Sequence, residues 1–339
     1  AGGSGTRFWP MSRKSRPKQL LNLWEESTLL QSTFRRMTGF VPPQQILVVT
    51  GEHLAASIAA SLPDLPPDNL LVEPCPKNTL PCLALAASTL AARDPEARMC
   101  VFPADAYIHG EEAFIDACTL ADSASLSGKI ATLGIPPTGP ETGYGYIHRQ
   151  DEGTPPFHVT AFVEKPTLEK AQEYLQAGTY LWNAGIFFLS VNTLQNEMRL
   201  QQPEMARTFE KITAHLKVGE KDLAAALFQG LPAVSIDYGI MEQAQNVVVV
   251  PAEFTWSDVG HWAALDHVAG VDENDNVQLG DTYTVDVSDS VLVNKGGKGH
   301  LLAAVGVSGL VVVQTEDATL ILPKDEAQRV KEIVDWLKE

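Results

Sequence analysis

Short apolar segments alternate with alanine- and leucine-rich segments of helical spacing through the first 135 residues. We predict buried strands at residues 45–50, 70–73, 98–103 and 129–134. The segments at 52–61 and 79–93 are predicted to be helices between them. This β-α-β order predicts an α/β fold with a Rossmann-like, mostly parallel sheet and helices on both faces. Sheets of that kind bind their ligands at the carboxyl ends of the strands.

The pattern changes twice further along the chain. We predict strands at 144–149, 157–164 and 182–189, a helix at 167–176, and a polar helical region at 203–226. After residue 265, acidic turns separate short valine-rich segments, which predict a small β-solenoid-like domain. An amphipathic helix at 324–338 is predicted to close the chain. We therefore expect a larger domain at 1–265 and a small β-rich domain at 266–339.

The charge balance limits the partners that the protein can have. The 339 residues carry a formal net charge of −17, which argues against a nucleic-acid backbone or an anionic membrane as the partner. If the substrates are phosphates, local arginines and lysines and a divalent metal must attract them. The four cysteines contain no C-x-x-C pair, which favours a reduced, cytoplasmic protein. No apolar run reaches the length of a membrane span, and the first residues lack a signal-peptide pattern.

A glycine-rich loop opens the chain. Gly2, Gly3 and Gly5 allow sharp bends that turn several backbone N–H groups toward one anion. Arg7 and Lys18 add two cations beside the loop, so the segment suits a nucleoside triphosphate. It matches neither the dinucleotide fingerprint nor the P-loop. A strand normally precedes such a loop, and we expect that strand to be missing from the printed chain.

Two aspartates follow short apolar segments. Asp105 comes after the predicted strand at 98–103, and Asp258 stands in a Trp-Ser-Asp-Val-Gly segment. Carboxylates at strand ends face the ligand crevice and can hold Mg²⁺. Taken alone, Asp105 is better explained as a helix N-cap or a turn residue, and the alternative for Asp258 is likewise a turn residue. Two of them in a chain with a phosphate-binding loop favour a metal site.

Two segments could contact a sugar phosphate. Glu164 and Lys165 stand at the end of a predicted strand, so the lysine could bind a phosphate and the glutamate sugar hydroxyls. A surface ion pair is the alternative. Gly145 and Asn183 lie in glycine-containing turns where the backbone or an amide could approach a sugar. Tight hairpin connections explain these turns equally well.

A third segment could contact the base. Glu73 ends a predicted strand, and its carboxylate could accept hydrogen bonds from guanine N1–H and N2–H, a pair of donors that adenine does not present. Asn78 and Thr79 follow where the next predicted helix begins. The alternative for these two residues is a helix N-cap.

Taken together, these segments resemble the bacterial mannose-1-phosphate guanylyltransferases, also called GDP-mannose pyrophosphorylases, of the sugar nucleotidyltransferase family. The matching segments run in order through nearly the whole chain. They are residues 2–7, 9–10, 12–13, 17–19, 73–74, 78–79, 103–105, 141–146, 162–166, 182–185, 235–238 and 256–260. The glycine-rich loop and Glu-Lys-Pro belong to sugar nucleotidyltransferases in general. Trp-Pro, Asn-Thr and Ser-Ile-Asp-Tyr are typical of the mannose and guanine branch.

The resemblance implies an enzyme with a GT-A-like catalytic domain that uses Mg²⁺ to make GDP-mannose and pyrophosphate from GTP and mannose 1-phosphate. It also implies in-line attack by the sugar phosphate without a covalent intermediate. The residues that it assigns to the nucleotide are Gly2, Gly3, Ser4, Gly5, Thr6, Glu73, Asn78 and Thr79. It assigns Arg7 and Lys18 to the departing pyrophosphate, Lys165 to the sugar phosphate, Gly145, Glu164 and Asn183 to the sugar, and Asp105 and Asp258 to Mg²⁺.

The chain departs from the family pattern at Ala106, where the family commonly has histidine, so a phosphate contact from that position is not expected. Longer relatives carry a cupin-type isomerase domain after the segment where this chain ends, and we expect no phosphomannose isomerase activity. The resemblance also implies a homodimer contact through the C-terminal domain. Two alternatives stay open. One is transfer to a different sugar 1-phosphate or from a different nucleotide, and the other is a non-catalytic sugar-nucleotide sensor.

Overall fold

The computed structural model describes residues 1–3 and 5–338. The first elements along the chain are α1 (Leu29–Thr38), β1 (Val48–Gly51), α2 (Glu52–Ser61), β2 (Leu70–Glu73), α3 (Thr79–Arg93), β3 (Arg98–Val101), β4 (Tyr107–His109), α4 (Glu111–Ser125) and β5 (Ile130–Ile135). The predicted bounds of α2, β2 and α3 are confirmed. The predicted strands that correspond to β1, β3 and β5 differ from them only at their ends, whereas α1, β4 and α4 were not predicted.

Helix α3 shows how local sequence produces this alternation. The Asn78 side chain accepts a hydrogen bond from the Thr79 N–H and caps the helix at its N-terminus. The apolar residues of its buried face recur at three- or four-residue spacing and are Leu80, Ala84, Ala87 and Ala91. That spacing places them on one side of the helix, where they join the largest apolar core of the protein.

The middle of the chain supplies most of the main sheet. Its elements are β6 (Gly145–Arg149), β7 (Phe157–Glu164), α5 (Leu168–Ala177), β8 (Tyr180–Ser190), α6 (Val191–Gln201), α7 (Pro203–Lys217), α8 (Lys221–Gln229), β9 (Val247–Pro251) and β10 (Thr255–Ser257). The predicted helical region at 203–226 is therefore two helices. They are separated near Gly219, whose positive φ of 80° is a conformation that suits glycine and ends a helix.

The six-stranded main sheet has the order β3-β8-β5-β9-β7-β6, and an additional pairing between β8 and β6 closes a barrel-like ring. Among the described pairings of this sheet, only β5–β9 is parallel. The expectation of a mostly parallel sheet is wrong for this sheet, although β1 and β2 form a separate parallel pair. The reason is that β8 lies between β3 and β5 and runs opposite to both. Apolar patterning identifies a strand but not its direction.

The C-terminal region is built from short stacked strands. They are β11 (Val277–Leu279), β12 (Thr282–Val285), β13 (Val291–Lys295), β14 (Leu302–Val305), β15 (Leu310–Thr315) and β16 (Thr319–Pro323). Strands β11, β13 and β15 pair in parallel, β16 adds an antiparallel edge, and β12 and β14 form a second parallel pair. The register stacks Val277, Val291 and Val311 directly above one another in the core. The predicted closing helix is a 3₁₀ helix at Lys324–Arg329 followed by α9 (Val330–Trp336).

The N-terminal loop packs into the same apolar core as these C-terminal valines. The Phe8 ring is fully buried and lies edge-on against Trp262, with 5.0 Å between ring centroids. The Trp262 indole N–H donates to the Trp9 carbonyl at 2.9 Å. The two ends of the chain therefore share one core. Over the described ranges, none of the helices combines the length and the apolar character that a membrane crossing requires.

Gly134 tests how tightly the main sheet is packed. A Cβ at this position would lie 2.6 Å from Leu181 Cδ1 and 2.7 Å from Val249 Cγ2. We predict that Gly134→Ala lowers the free energy of unfolding by about 1–3 kcal/mol, because the neighbours must move to admit a methyl group. Urea unfolding followed by circular dichroism measures the change. Gly139→Ala is the matched control, since a Cβ there meets nothing within 4 Å, and an equal loss in both variants would contradict the packing account.

Candidate active site

The glycine-rich loop folds directly onto Lys18. Gly5 has a positive φ of 55°, and a Cβ at this position would lie 2.5 Å from Lys18 Cβ and 2.7 Å from the Lys18 backbone nitrogen. Only glycine fits this close approach. Gly2 and Gly3 are exposed, so their backbone is open to a ligand, and Thr6 begins a 3₁₀ turn. The predicted binding residue Ser4 lies outside the described residues.

Lys18 joins the two predicted metal ligands. Its side chain is 10% exposed, and its ammonium lies 3.0 Å from Asp105 Oδ2. The same ammonium donates a hydrogen bond to the Asp258 backbone carbonyl. A buried cation is stable only when it is paired and hydrogen-bonded, and here both partners are the aspartates that the sequence indicated. The structure thus brings Lys18, Asp105 and Asp258 together beside the loop.

The pairing of two short strands explains why these aspartates meet. Strands β4 and β10 are antiparallel, with Tyr107 opposite Ser257. Asp105 lies just before β4 and Asp258 follows β10, so the ladder places both carboxylates at the same end. Within the described ranges no three His, Cys, Asp or Glu side chains are grouped to hold an ion. Two carboxylates suit Mg²⁺ nonetheless, because this ion usually takes its remaining ligands from substrate phosphates and water.

Tyr144 contacts the second of these carboxylates. Its hydroxyl donates to Asp258 Oδ1 at 2.8 Å. Burial, and after it the Asp258 charge, raise the pKa of Tyr144 well above its usual value, so the hydroxyl keeps its proton. The ring lies edge-on to Trp182 and Trp256, with centroid distances of 5.1 and 5.4 Å. The structure thus directs the Tyr144 hydroxyl to a candidate metal ligand.

A second cluster forms at the end of β7. Gly145 pairs with Glu164, and a Cβ on Gly145 would lie 2.6 Å from Glu164 Oε2, so glycine makes room for this carboxylate. Glu164 forms an ion pair with Lys165. The Lys165 side chain is 57% exposed, and that of Glu164 only 9%. The lysine is therefore accessible to a ligand, while its ion-pair partner Glu164 is buried.

Asn183 and Asp237 complete this cluster. The Asn183 amide donates to Asp237 Oδ1 at 3.0 Å, and its carbonyl oxygen accepts from the Gly185 N–H at 3.0 Å. Burial, followed by the charge of Glu164, raises the pKa of Asp237 to about 6. Asp237 belongs to the Ser-Ile-Asp-Tyr segment that the sequence singled out, but no role was predicted for it. An acidic residue inside a segment typical of the family was the available signal.

The residues predicted to bind the base differ in whether their side chains are free to contact a ligand. The side chains of Asn78 and Thr79 are engaged within the protein, because Asn78 caps α3 and Thr79 Oγ1 accepts from the Ile236 N–H at 2.8 Å. Glu73 lies at the end of β2 next to the loop, where a Cβ on Gly2 would be 3.8 Å from Glu73 Oε1. Glu73 Oε2 is buried and has no hydrogen-bond partner among the described residues. Burial also raises the pKa of this carboxyl.

Arg7 reaches toward the C-terminal region. Its guanidinium donates to Gln328 Oε1 at 2.7 Å. Nearby, the Arg13 guanidinium bonds both oxygens of Asp317, at 2.9 and 3.1 Å. Sequence reasoning missed Gln328 and Asp317, because contacts across more than 300 residues leave no local pattern.

The two clusters are connected through Tyr144. Its carbonyl oxygen accepts a hydrogen bond from the Lys165 N–H at 3.2 Å, while its hydroxyl bonds Asp258. The phosphate-binding loop, the two aspartates and the Glu164–Lys165 pair thus belong to one connected arrangement. It offers backbone donors and cations for phosphates, two carboxylates for a divalent ion, and an accessible lysine with amide and carboxylate neighbours for a sugar phosphate.

Comparison with known proteins gives two family matches. A nucleotidyl transferase model matches residues 1–275, and a model described as a MannoseP isomerase/GMP-like beta-helix domain matches residues 280–337. Mannose-1-phosphate guanylyltransferase RfbM of Salmonella typhimurium is 36% identical over 350 residues, which span 100% of this chain and 71% of that protein. Xanthan biosynthesis protein XanB of Xanthomonas campestris pv. campestris is 39% identical over 345 residues, 100% of this chain and 72% of that protein.

A solved structure is similar over its whole length. The crystal structure from Thermus thermophilus, described as a mannose-1-phosphate geranyltransferase, superposes with a TM-score of 0.90 at 35% identity. The match covers 100% of this chain and 98% of that one.

Asp237 makes stability depend on pH. With its pKa raised to about 6, the folded protein binds a proton there more tightly than the unfolded chain does, so the contribution of Asp237 to the free energy of unfolding rises as pH falls from about 7 to 4. We predict that Asp237→Asn removes about 1–2 kcal/mol of the stability that the wild-type protein gains at Asp237 between pH 7 and pH 4.5. Urea unfolding of both proteins at pH 7 and pH 4.5 measures it. Asp222→Asn on the exposed surface of α8 is the control, and a wild-type increment that persists in Asp237→Asn would contradict the assignment.

Proposed function

Because the chain belongs to the nucleotidyl transferase family, among proteins named mannose-1-phosphate guanylyltransferase, we propose that it transfers GMP from GTP to mannose 1-phosphate. The products are GDP-mannose and pyrophosphate. The observation that carries the proposal is the buried Lys18 ammonium between Asp105 and Asp258, directly under the glycine-rich loop. This arrangement combines cation, carboxylate and backbone groups at one place, as transfer between phosphates requires.

The reaction needs positioning and charge stabilisation more than proton transfer. A phosphate oxygen of mannose 1-phosphate attacks the α-phosphorus of GTP in line with the departing pyrophosphate. The attacking oxygen is already anionic, so no general base is needed. Backbone N–H groups of the loop hold the triphosphate, and Arg7 with Lys18 neutralises the charge that develops on pyrophosphate. Lys18 would leave its resting contact with Asp105 to do so.

The carboxylates would hold the divalent ion. Asp105 and Asp258 supply the protein oxygens, and GTP phosphates and water would complete the ligand set. When bound, Mg²⁺ supplies positive charge to the phosphates of the nucleotide. Loss of either carboxylate would leave too few protein ligands to orient it.

The second cluster would hold the sugar phosphate. Lys165 is accessible and would bind the phosphate, while Glu164 and Asn183 would accept from or donate to sugar hydroxyls. The open backbone at Gly145 would allow the sugar to approach. Since Lys165 is hydrogen-bonded through its backbone to Tyr144, the sugar phosphate would be held at a fixed distance from the metal site.

We also propose the arrangement of the rest of the protein. The boundary near residue 265 would separate a catalytic domain at 1–265 from a C-terminal domain at 266–339, and the parallel ladders of the latter would form a β-solenoid. The four cysteines are free thiols, which is consistent with a reducing compartment, so we place the reaction in the cytoplasm. A homodimer through the C-terminal domain, as the resemblance implies, completes the proposal.

The proposed function is tested by pyrophosphate release. The full chain is assayed with Mg²⁺ and a matrix of GTP, ATP, UTP and dTTP against mannose, glucose and heptose 1-phosphates. We expect rapid release only with GTP and mannose 1-phosphate. Activity confined to UTP or dTTP with glucose 1-phosphate would overturn the assignment and support the related nucleotidyltransferase instead. Tight binding of GDP-mannose without any turnover would support a sugar-nucleotide sensor.

Arg7 provides the first variant. We predict that Arg7→Ala lowers kcat on the order of a hundredfold or more, because a donor to the transition state is lost. Lys14→Ala is the control, since Lys14 is an exposed cation of the same segment. Gln328→Ala removes only the partner of Arg7 and should cost far less than Arg7→Ala. A small effect of Arg7→Ala, equal to that of Lys14→Ala, would contradict the role given to Arg7.

Glu73 provides a test of base recognition. Its buried and unpartnered Oε2 lies near the loop, and a carboxylate that accepts from guanine N–H groups would distinguish guanine from adenine. We predict that Glu73→Gln lowers kcat/KM for GTP roughly tenfold or more, since a charge-assisted hydrogen bond is lost. Its kcat/KM for ATP should change little. An equal loss with both nucleotides would show that Glu73 only supports the fold of the loop.

A further inference from the structure

Tyr144 makes a hydroxyl contact that the mechanism above does not use. It precedes β6, and its ring is packed between the indoles of Trp182 in β8 and Trp256 in β10. Its hydroxyl donates to Asp258 Oδ1 at 2.8 Å, and its carbonyl oxygen accepts from the Lys165 N–H at 3.2 Å. One residue is therefore in contact with groups of both proposed substrate sites.

The hydroxyl contact restricts one carboxylate. A free aspartate can rotate about its side-chain bonds, but a hydrogen bond from a rigid phenol fixes one oxygen in place. The two flanking indoles leave the Tyr144 ring little freedom, so the position of its hydroxyl is set by packing. With Oδ1 engaged by Tyr144, Oδ2 of Asp258 is the oxygen that remains for a cation.

Lys18 also contacts Asp258, but it does not orient the Asp258 carboxylate. Lys18 bonds the backbone carbonyl of Asp258 and the carboxylate of Asp105, not the Asp258 carboxylate. Tyr144 is thus the side chain that orients the Asp258 carboxylate among the described contacts. Groups that hydrogen-bond a metal ligand typically change metal affinity or activity by 10–100-fold when they are removed.

We propose that Tyr144 is a positioning residue whose hydroxyl orients the Asp258 carboxylate for the divalent cation that accompanies GTP. This inference rests on the proposed function. The hydrogen bond from the Lys165 N–H to the Tyr144 carbonyl oxygen connects the sugar-phosphate site to the same residue. Tyr144 would therefore also fix the distance between the two substrate sites. Removing the hydroxyl should weaken cation binding at Asp258 without altering the sugar-phosphate site, because the backbone bond to Lys165 and the ring packing remain.

The experiment compares Tyr144→Phe with Tyr146→Phe. Tyr146 lies two residues further along, is fully buried, and its hydroxyl has no hydrogen-bond partner among the described residues, so it is a matched control. Mn²⁺ binding to each full-length protein, with and without a non-hydrolysable GTP analogue, is measured by electron paramagnetic resonance of the free ion. We expect Tyr144→Phe to weaken Mn²⁺ binding about tenfold or more. Tyr146→Phe should bind like the wild type.

Kinetics give a second readout. Tyr144→Phe should lower kcat at limiting Mg²⁺, and kcat should return to the wild-type value at high Mg²⁺. The KM for mannose 1-phosphate should be unchanged. In the Asp258→Asn background, Tyr144→Phe should cause no further loss of Mn²⁺ affinity, because both substitutions act on the same contact. Thermal unfolding confirms that each variant is folded.

The outcomes separate the two claims. Wild-type Mn²⁺ affinity in Tyr144→Phe, or an equal loss in Tyr146→Phe, would overturn the positioning role while leaving the activity intact. A wild-type protein that releases no pyrophosphate with any substrate pair would overturn the proposed function. In that case a selective Mn²⁺ defect in Tyr144→Phe would still support the positioning of Asp258.

Discussion

The contacts of the Lys18 ammonium hold the rest of the site in place. This buried cation bonds Asp105 Oδ2 and the Asp258 carbonyl, and the loop packs onto its backbone at Gly5, where no other residue fits. An unpaired buried charge costs several kcal/mol, so the segments just before β4 and just after β10 must keep their carboxylate and carbonyl groups beside the lysine. The overall charge of −17 repels phosphates, so their binding at the loop depends on the local positive charge of Lys18 and Arg7.

The loop is also held from the other end of the chain. Phe8 shares a core with Trp262 and the valines of the C-terminal strands, and Arg7 bonds Gln328. Apolar burial fixes the path of the loop, whereas the polar contacts orient single groups. The C-terminal region therefore belongs to the structure of the candidate active site, and not only to the support of the fold.

The sequence predicted the parts of this structure that depend on local patterns. The helix at 79–93 is capped by Asn78, and the buried residues of this helix and of the helix at 52–61 recur at helical spacing. These signals act within a few residues, and the predicted bounds of both helices are confirmed. The direction of β8 was not predictable, because it depends on which strands it meets in space. Asp105 and Asp258 were identified as candidate metal ligands. The lysine that contacts both of them, the Tyr144 hydroxyl bond and the Gln328 contact could not be predicted, because they join residues far apart in the sequence and produce no local pattern.

The proposed reaction requires that a phosphate oxygen of the sugar attack the α-phosphorus of GTP within this site. Mannose 1-phosphate labelled with ¹⁸O in its phosphate group tests it in a single ³¹P NMR measurement of the products. We expect GDP-mannose whose α-phosphorus signal is shifted by a bridging ¹⁸O, together with unlabelled pyrophosphate. An unshifted α-phosphorus signal in GDP-mannose, or ¹⁸O in pyrophosphate, would contradict it.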